Sequence, residues 1–138
     1  MGVASSSDLE HWADASSAPV MPRRAGAFDS RVMEPGPAPM LTSAGILLLY
    51  NGASDGLVYG PAWALFDRDD PTKLIARADR PFMLPEAEWE KKGVVPNVIF
   101  LEGSIVKSTG ERGVEATGYY GAADHLVGAV RLKIGVLK

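Results

Sequence analysis

DSRVMEPGPAPMLTSAGILLLYNG, residues 29–52, is the stretch whose reading decides the fold. It has three parts. Residues 29–34 are polar and charged and run straight into Pro35-Gly36-Pro37-Ala38-Pro39. Residues 40–45 make a turn. Ile46-Leu47-Leu48-Leu49-Tyr50 is then a short apolar run closed by Asn51-Gly52. An apolar run this short, between Gly-bearing turns, reads as a buried strand rather than a helix. Pro35, Pro37 and Pro39 lack a backbone N–H, so they forbid a helix and a central ladder strand before it. A charged cluster thus sits on stiff, extended backbone beside a buried strand, which is how a site residue is usually supported. The plainer reading is a Pro-rich surface loop feeding a hairpin.

Downstream, Asn51-Gly52 and Asp55-Gly56 mark a turn. Residues 57–66 read as a strand with a Gly60-Pro61 interruption near its start. Residues 67–73 are a charged, solvated hairpin turn. Residues 74–77 are a short strand, 80–85 an extended piece, and 86–92 at most one helical turn, too short to stand alone. Residues 94–101 are β-branched and aromatic and predict a strand. Residues 102–113 are polar and Gly-bearing. Residues 115–120 and 125–132 are the last two long strands, joined across Gly121-Ala122-Ala123-Asp124, and 133–138 is a further short apolar strand. Upstream, residues 5–12 read as a turn followed by a partly buried Trp12, and 13–28 as a loop.

A weak internal repeat runs through these elements. A strand ending Tyr50-Asn51-Gly52-Ala53 in one copy answers a strand ending Tyr120-Gly121-Ala122-Ala123 in the other, at an offset of roughly 60–70 residues. Each copy holds about four short strands, which is one blade of a β-propeller. A blade cannot bury both faces alone, so blades must stack.

At 138 residues the chain is long enough for a single domain with its own core. Fifteen glycines and ten prolines imply many turns and short elements, hence mostly β. The net charge of −3, with no basic stripe, argues against a nucleic-acid partner. No cysteine is present, which excludes disulfides and thiolate metal sites. No apolar run approaches membrane-spanning length. Residues 1–10 lack a basic start and an apolar core, so no signal peptide is read there and the cytoplasm is the default expectation.

DSRVMEPGPAPMLTSAGILLLYNG, YGPAWALFDRDDPTKLIARADRPFMLP, VVPNVIFLEGSIV and GYYGAADHLVGAVRL, in this order, resemble the C-terminal part of glycoside hydrolase family 130. SSDLEHW resembles the outer strand of a preceding blade. The family contains β-mannoside phosphorylases and β-mannosidases on a five-bladed β-propeller. The resemblance implies an all-β chain of about two blades plus the edge of a third, residues 1–138 forming one unit with a first blade over 29–92 and a last blade over 93–138. A full member is roughly two to three times this length, as five four-stranded blades require. The family's general acid is an aspartate of the N-terminal blades, and no position here corresponds to it. The implied activity is cleavage of a β-mannosidic bond with inversion, by water or phosphate, by a segment inactive alone. The alternatives are a carbohydrate-binding or assembly module and one half of a split enzyme.

The resemblance also nominates residues. Glu34 stands where the phosphorylases carry a cation for phosphate. A carboxylate there deprotonates water instead, which makes Glu34 the candidate base of an inverting hydrolase. Asn51 points the same way, because the phosphorylases resemble Tyr-His-Gly at this place. Asp124 resembles the aspartate that accepts mannose hydroxyls. Arg31 is a candidate sugar contact, with a surface pair to Asp29 as its plainer reading. Glu34 and Asp124 are expected on one concave surface. Tyr59 and Tyr120 read as packing residues. His11 and His125 lack the spaced partners a metal needs, so no metal is assigned. No cofactor is implied, inorganic phosphate entering only for a phosphorylase. The expected partners are a β-mannoside or related oligosaccharide and a second copy of the chain, since two blades cannot close a ring.

Overall fold

The computed structural model describes residues 1–110 and 113–135. Strands β1 (Ala4–Ser5) and β2 (Ala13–Asp14) pair as a small antiparallel ribbon. Strands β3 (Val32–Pro35), β4 (Met40–Thr42), β5 (Gly45–Ala53), β6 (Gly60–Phe66) and β7 (Leu74–Arg77) form one antiparallel sheet. A single helical turn, α1 (Glu88–Lys91), leads to a second sheet. That sheet holds β8 (Ile99–Gly110), β9 (Gly113–Ala122) and β10 (Leu126–Ile134), with β9 in the middle. Among the described residues the chain is all-β apart from α1.

The organising stretch takes the place its residues demand. β4 and β3 pair in succession along one side of β5, and the Pro35–Pro39 segment bridges them at the sheet edge, where a missing N–H costs nothing. β6 covers the other side of β5. β5 is therefore central and buried on both faces, which is why its letters are continuously apolar rather than alternating. Leu47 and Leu49 turn towards the second sheet and pack with Ile99, Leu101, Ala116, Tyr120 and Leu132. Leu48 and Tyr50 turn the opposite way and pack with Met21, Ala62, Ala64 and Phe66. Each fully buried side chain of this size contributes about 1.5–3 kcal/mol. β9 alternates instead, with Val114, Ala116, Gly118, Tyr120 and Ala122 inward. The second sheet thus buries one face and leaves Ile105, Tyr119 and Val127 exposed on the other side of the chain's core.

Several expectations change. Residues 40–45 hold a short strand before their turn, because Thr42 closes a tight hairpin by donating its hydroxyl to the Gly45 carbonyl at 2.8 Å. The polar stretch after Leu101 stays in the sheet as far as Gly110, since β9 supplies its ladder partners regardless of polarity. Trp12 is 60% exposed rather than partly buried, its indole reaching only the Leu9 carbonyl. Residues 6–12, expected as an outer blade strand, are instead the loop that joins β1 to β2, its turn held by the Asp8 and Ser6 side chains. The apolar tail continues β10 to Ile134, and residues 136–138 lie outside the described residues.

The internal repeat has a structural counterpart. Tyr50 stacks on Phe28 and donates its hydroxyl to Asp29 at 2.9 Å. Tyr120 stacks on Trp89 and donates to Glu90 at 2.8 Å. Each sheet therefore carries a tyrosine bonded to a buried carboxylate that follows an aromatic residue. Burial would raise Glu90, yet the N–H groups of Glu86 and Ala87 and the Tyr120 hydroxyl hold it below the ordinary carboxylate range. Burial and the Glu90 carboxylate push the Tyr120 phenol from 10.0 up to about 12. A folded-state value above the unfolded one gives stability that is complete below pH 10 and lost as pH rises towards 12. Tyr120→Phe is expected to cost about 1–3 kcal/mol at neutral pH, because a buried carboxylate loses a donor. It should also flatten the fall of stability between those two pH values. Urea melts at pH 7, 10 and 11 check both, and an unchanged alkaline slope would count against the assignment.

Candidate functional site

Beyond their apolar packing, three backbone or polar contacts among the described residues join the two sheets near one end. Tyr59, just before β6, donates its backbone N–H to the Asn97 carbonyl at 3.0 Å and accepts from the Ile99 N–H at 3.3 Å. These make a parallel bridge between Tyr59 and Val98. Asn51, near the end of β5, reaches across to the Leu101 backbone with both amide atoms. Gly36 lets its backbone approach the Leu101 carbonyl, since a Cβ there would stand 2.8 Å from that oxygen. Beside this junction opens a cleft of about 400 Å3 lined by Glu34, Tyr59, Val95, Val98, Phe100, Glu102 and Asp124.

Each polar residue reaches the cleft for a local reason. Glu34 lies on β3 opposite Asn51, and directly paired residues of an antiparallel ladder point to the same face, here towards the second sheet. Glu102 is the extra residue of a bulge: Leu101 pairs with Tyr120 and Gly103 with Tyr119, so Glu102 has no partner of its own. A bulge re-aims a side chain, and this one turns Glu102 into the cleft. Asp124 sits in the turn between β9 and β10, where Ala123 and Asp124 adopt left-handed backbone with φ of 47° and 50°. Aspartate tolerates that conformation better than most residues. The turn is held from below, because Val95 donates to the Ala123 carbonyl and Ala123 to the Val98 carbonyl. Tyr59 packs its ring against Phe100, centroids 6.4 Å apart. Burial raises its phenol, the Glu34 and Asp124 carboxylates add to that, and the Arg31 guanidinium opposes it.

The structure brings Glu34 and Asp124 to one concave surface. It does not bring Asn51 there. Asn51 is fully buried, its Oδ1 accepting from the Leu101 N–H at 2.8 Å and its Nδ2 donating to the Leu101 carbonyl at 3.0 Å. Fully buried and turned onto the Leu101 backbone, it is closed to a sugar, and its expected contact is corrected on that ground. Arg31 is exposed and does not line the cleft. Its nearest carboxylate is Asp55, at 3.9 Å, not Asp29. Asp29 is fully buried and belongs to a separate network: it accepts from Arg24 at 2.9 and 3.1 Å and from Tyr50, with Arg77 3.7 Å away. Tyr59, expected to pack, lines the cleft, while Tyr120 does pack in the core. Glu102 goes unassigned as a sugar contact in the sequence, because a bulge leaves no periodic mark except the glycine that follows it.

A second cleft, of about 490 Å3, lies between Trp63, Met83, Val130 and Leu132. It is mostly apolar and carries none of the candidate residues. Among the described residues no group of three or more His, Cys, Asp or Glu converges as a metal site. The three carboxylates and one phenol of the first cleft can accept hydroxyl hydrogens from a sugar, and an exposed carboxylate there can take a proton from water.

The family model described as β-1,4-mannooligosaccharide phosphorylase matches residues 1–137. Over 136 residues the chain is 35% identical to a 1,2-β-oligomannan phosphorylase of Thermoanaerobacter sp. (strain X514), covering 99% of this chain and 44% of that protein. A β-1,2-mannobiose phosphorylase from Listeria innocua, in its β-1,2-mannobiose complex, superposes with a TM-score of 0.82 at 32% identity, over 94% of this chain and 35% of that one. A glycosyl hydrolase from Bacteroides ovatus superposes with a TM-score of 0.79 at 36% identity, over 93% and 38%. The chain spans less than half the length of each relative. With the whole sequence matched and the strands superposed, the chain belongs to glycoside hydrolase family 130, and its two sheets are part of that family's β-propeller.

Proposed function

We propose that this chain forms one side of a site that cleaves a β-mannosidic bond with inversion. Asp124 accepts mannose hydroxyls, Glu34 is the base that takes a proton from the attacking water, and Tyr59 and Glu102 complete the wall. The observation that carries this is the convergence of Glu34 and Asp124, far apart in sequence, on one cleft. Inverting hydrolysis needs a base carboxylate with room for water before the bond. The described lining holds three carboxylates and no cation, a field that favours water over phosphate. Phosphate, if used, enters as a second substrate and not as a cofactor. The general acid comes from the part of the propeller beyond these residues, in keeping with the coverage of the relatives. Residues 29–92 and 93–138 are the two blades of this reading.

Titration of the labelled chain with β-1,2- and β-1,4-mannobiose tests the sugar contact. Asp124→Asn is expected to weaken binding about tenfold, because a charge-assisted acceptor becomes in part a donor. Unchanged affinity would remove Asp124 from the site. The open face of the second sheet, with Ile105, Tyr119 and Val127 exposed, leads us to expect a two-fold dimer in solution. Sedimentation at micromolar concentration checks it, and a concentration-independent monomer near 14.7 kDa would exclude it.

A further inference from the structure

We propose that Asn51 is a positioning residue that sets the spacing of Glu34 and Glu102 across the sheet junction; this rests on the site reading above. On β5, Leu47, Leu49 and Asn51 form the row facing the second sheet, and Asn51 is its polar end, nearest the cleft. β8 is the edge strand of its sheet, and past the Ile99 N–H, which the Tyr59 carbonyl accepts, the Leu101 backbone groups on its outer side have no ladder partner. Asn51 supplies one. Its amide accepts from the Leu101 N–H and donates to the Leu101 carbonyl, the two bonds an added strand would make. An apolar residue would leave both Leu101 groups unpaired in a buried junction.

What is clamped matters as much as the clamp. Leu101 immediately precedes the bulge that aims Glu102 into the cleft. On the other side, Asn51 is paired opposite Glu34. One buried side chain therefore ties the backbone beneath both carboxylates. Without the Asn51 bonds, the hydrogen bonds left across the junction near the cleft are those of the Tyr59 backbone, and the apolar packing of Leu47 and Leu49 on Ile99 and Leu101 fixes direction less tightly than paired amides do. Gly36, packed on the Leu101 and Leu49 carbonyls, leaves room for the close approach that the clamp requires.

The test measures mannobiose affinity and sheet orientation in the whole chain. Asn51→Ala is expected to weaken β-mannobiose binding about tenfold, as a misplacement on the order of an ångström does. In a Glu34→Gln, Glu102→Gln background the same change should cost less than about twofold, because the groups it places are no longer carboxylates. Equal losses in both backgrounds, or no loss in either, would overturn the proposal. Amide residual dipolar couplings give a readout that needs no sugar. The β3–β7 and β8–β10 sheets should fit one alignment tensor in the unmodified chain and two in Asn51→Ala. A single tensor in the variant overturns positioning. If the unmodified chain binds neither mannobiose, the site reading fails and the couplings alone decide on Asn51. Should Asn51→Ala not fold, Asn51→Ser carries both measurements.

Discussion

Replacing Asp29 with alanine is expected to cost about 3–5 kcal/mol, which would lower Tm by about 10–20 °C. The carboxylate is fully buried and answers the Arg24 guanidinium, the Tyr50 hydroxyl and, at 3.7 Å, Arg77. Arg24 also donates to the Ala78 carbonyl and Arg77 to the Pro22 carbonyl, so the network fastens residues 22–29 to the first sheet. Removing the anion leaves two part-buried cations and a buried phenol with no partner for their facing donors. That penalty exceeds the worth of the pair itself, because the remaining charges have already given up their water. Gly52 adds a packing constraint, since its missing side chain makes room for Phe28 and the Asp29 Cβ. Arg31→Ala is the control: its partner is 3.9 Å away and both side chains are exposed, so the change should stay within about 0.5 kcal/mol. Urea unfolding of the two variants measures the contrast. A loss below about 1 kcal/mol for Asp29→Ala would mean the network is not formed in solution.

A polypeptide of these 138 residues, assayed alone, is expected to show no turnover of aryl or oligo-β-mannosides, with or without phosphate. Departure of the alcohol needs a proton, and a missing general acid typically lowers the rate by about a hundred- to ten-thousand-fold. The cleft holds carboxylates suited to binding and to base duty, and the family resemblance assigns the acid to other blades. Release of mannose and of mannose phosphate, followed by chromatography, is the measurement. Robust release would mean that the chain carries its own acid, with Glu102 and Asp124 the residues to substitute first. Asp29 cannot take that role, being sealed from solvent and bonded to Arg24 and Tyr50. Restoration of turnover on adding the family's other blades as a separate chain would show that these residues supply their side of the site.

Much of the fold is legible in the letters, because strand formation here follows local rules. Continuous apolar residues from Ile46 to Tyr50 mark a strand covered on both faces, and β5 is one. Three prolines before it point to a sheet edge, and β3 and β4 lie on one. Residues 115–120 read as a strand, and β9 contains them. The candidate site was legible in part. Glu34 and Asp124 were named from motif resemblance, and both line the cleft. The tertiary structure alone decided the rest. Asn51 reads as a site residue, but the unpaired edge of β8 captures its amide, and no local pattern records which edge will lie within reach. Asp29 reads as part of a charged surface cluster, but Arg24 and Tyr50 enclose it once the first sheet packs on residues 21–29. Tyr59 and Glu102 enter the cleft through an inter-sheet bridge and a bulge, both set by pairing register. The sequence by itself determined which segments become strands and which of their faces are apolar, since side-chain alternation and proline chemistry act over a few residues. Which polar side chain meets which backbone was decided only when the two sheets packed, because those partners are brought together by long-range register.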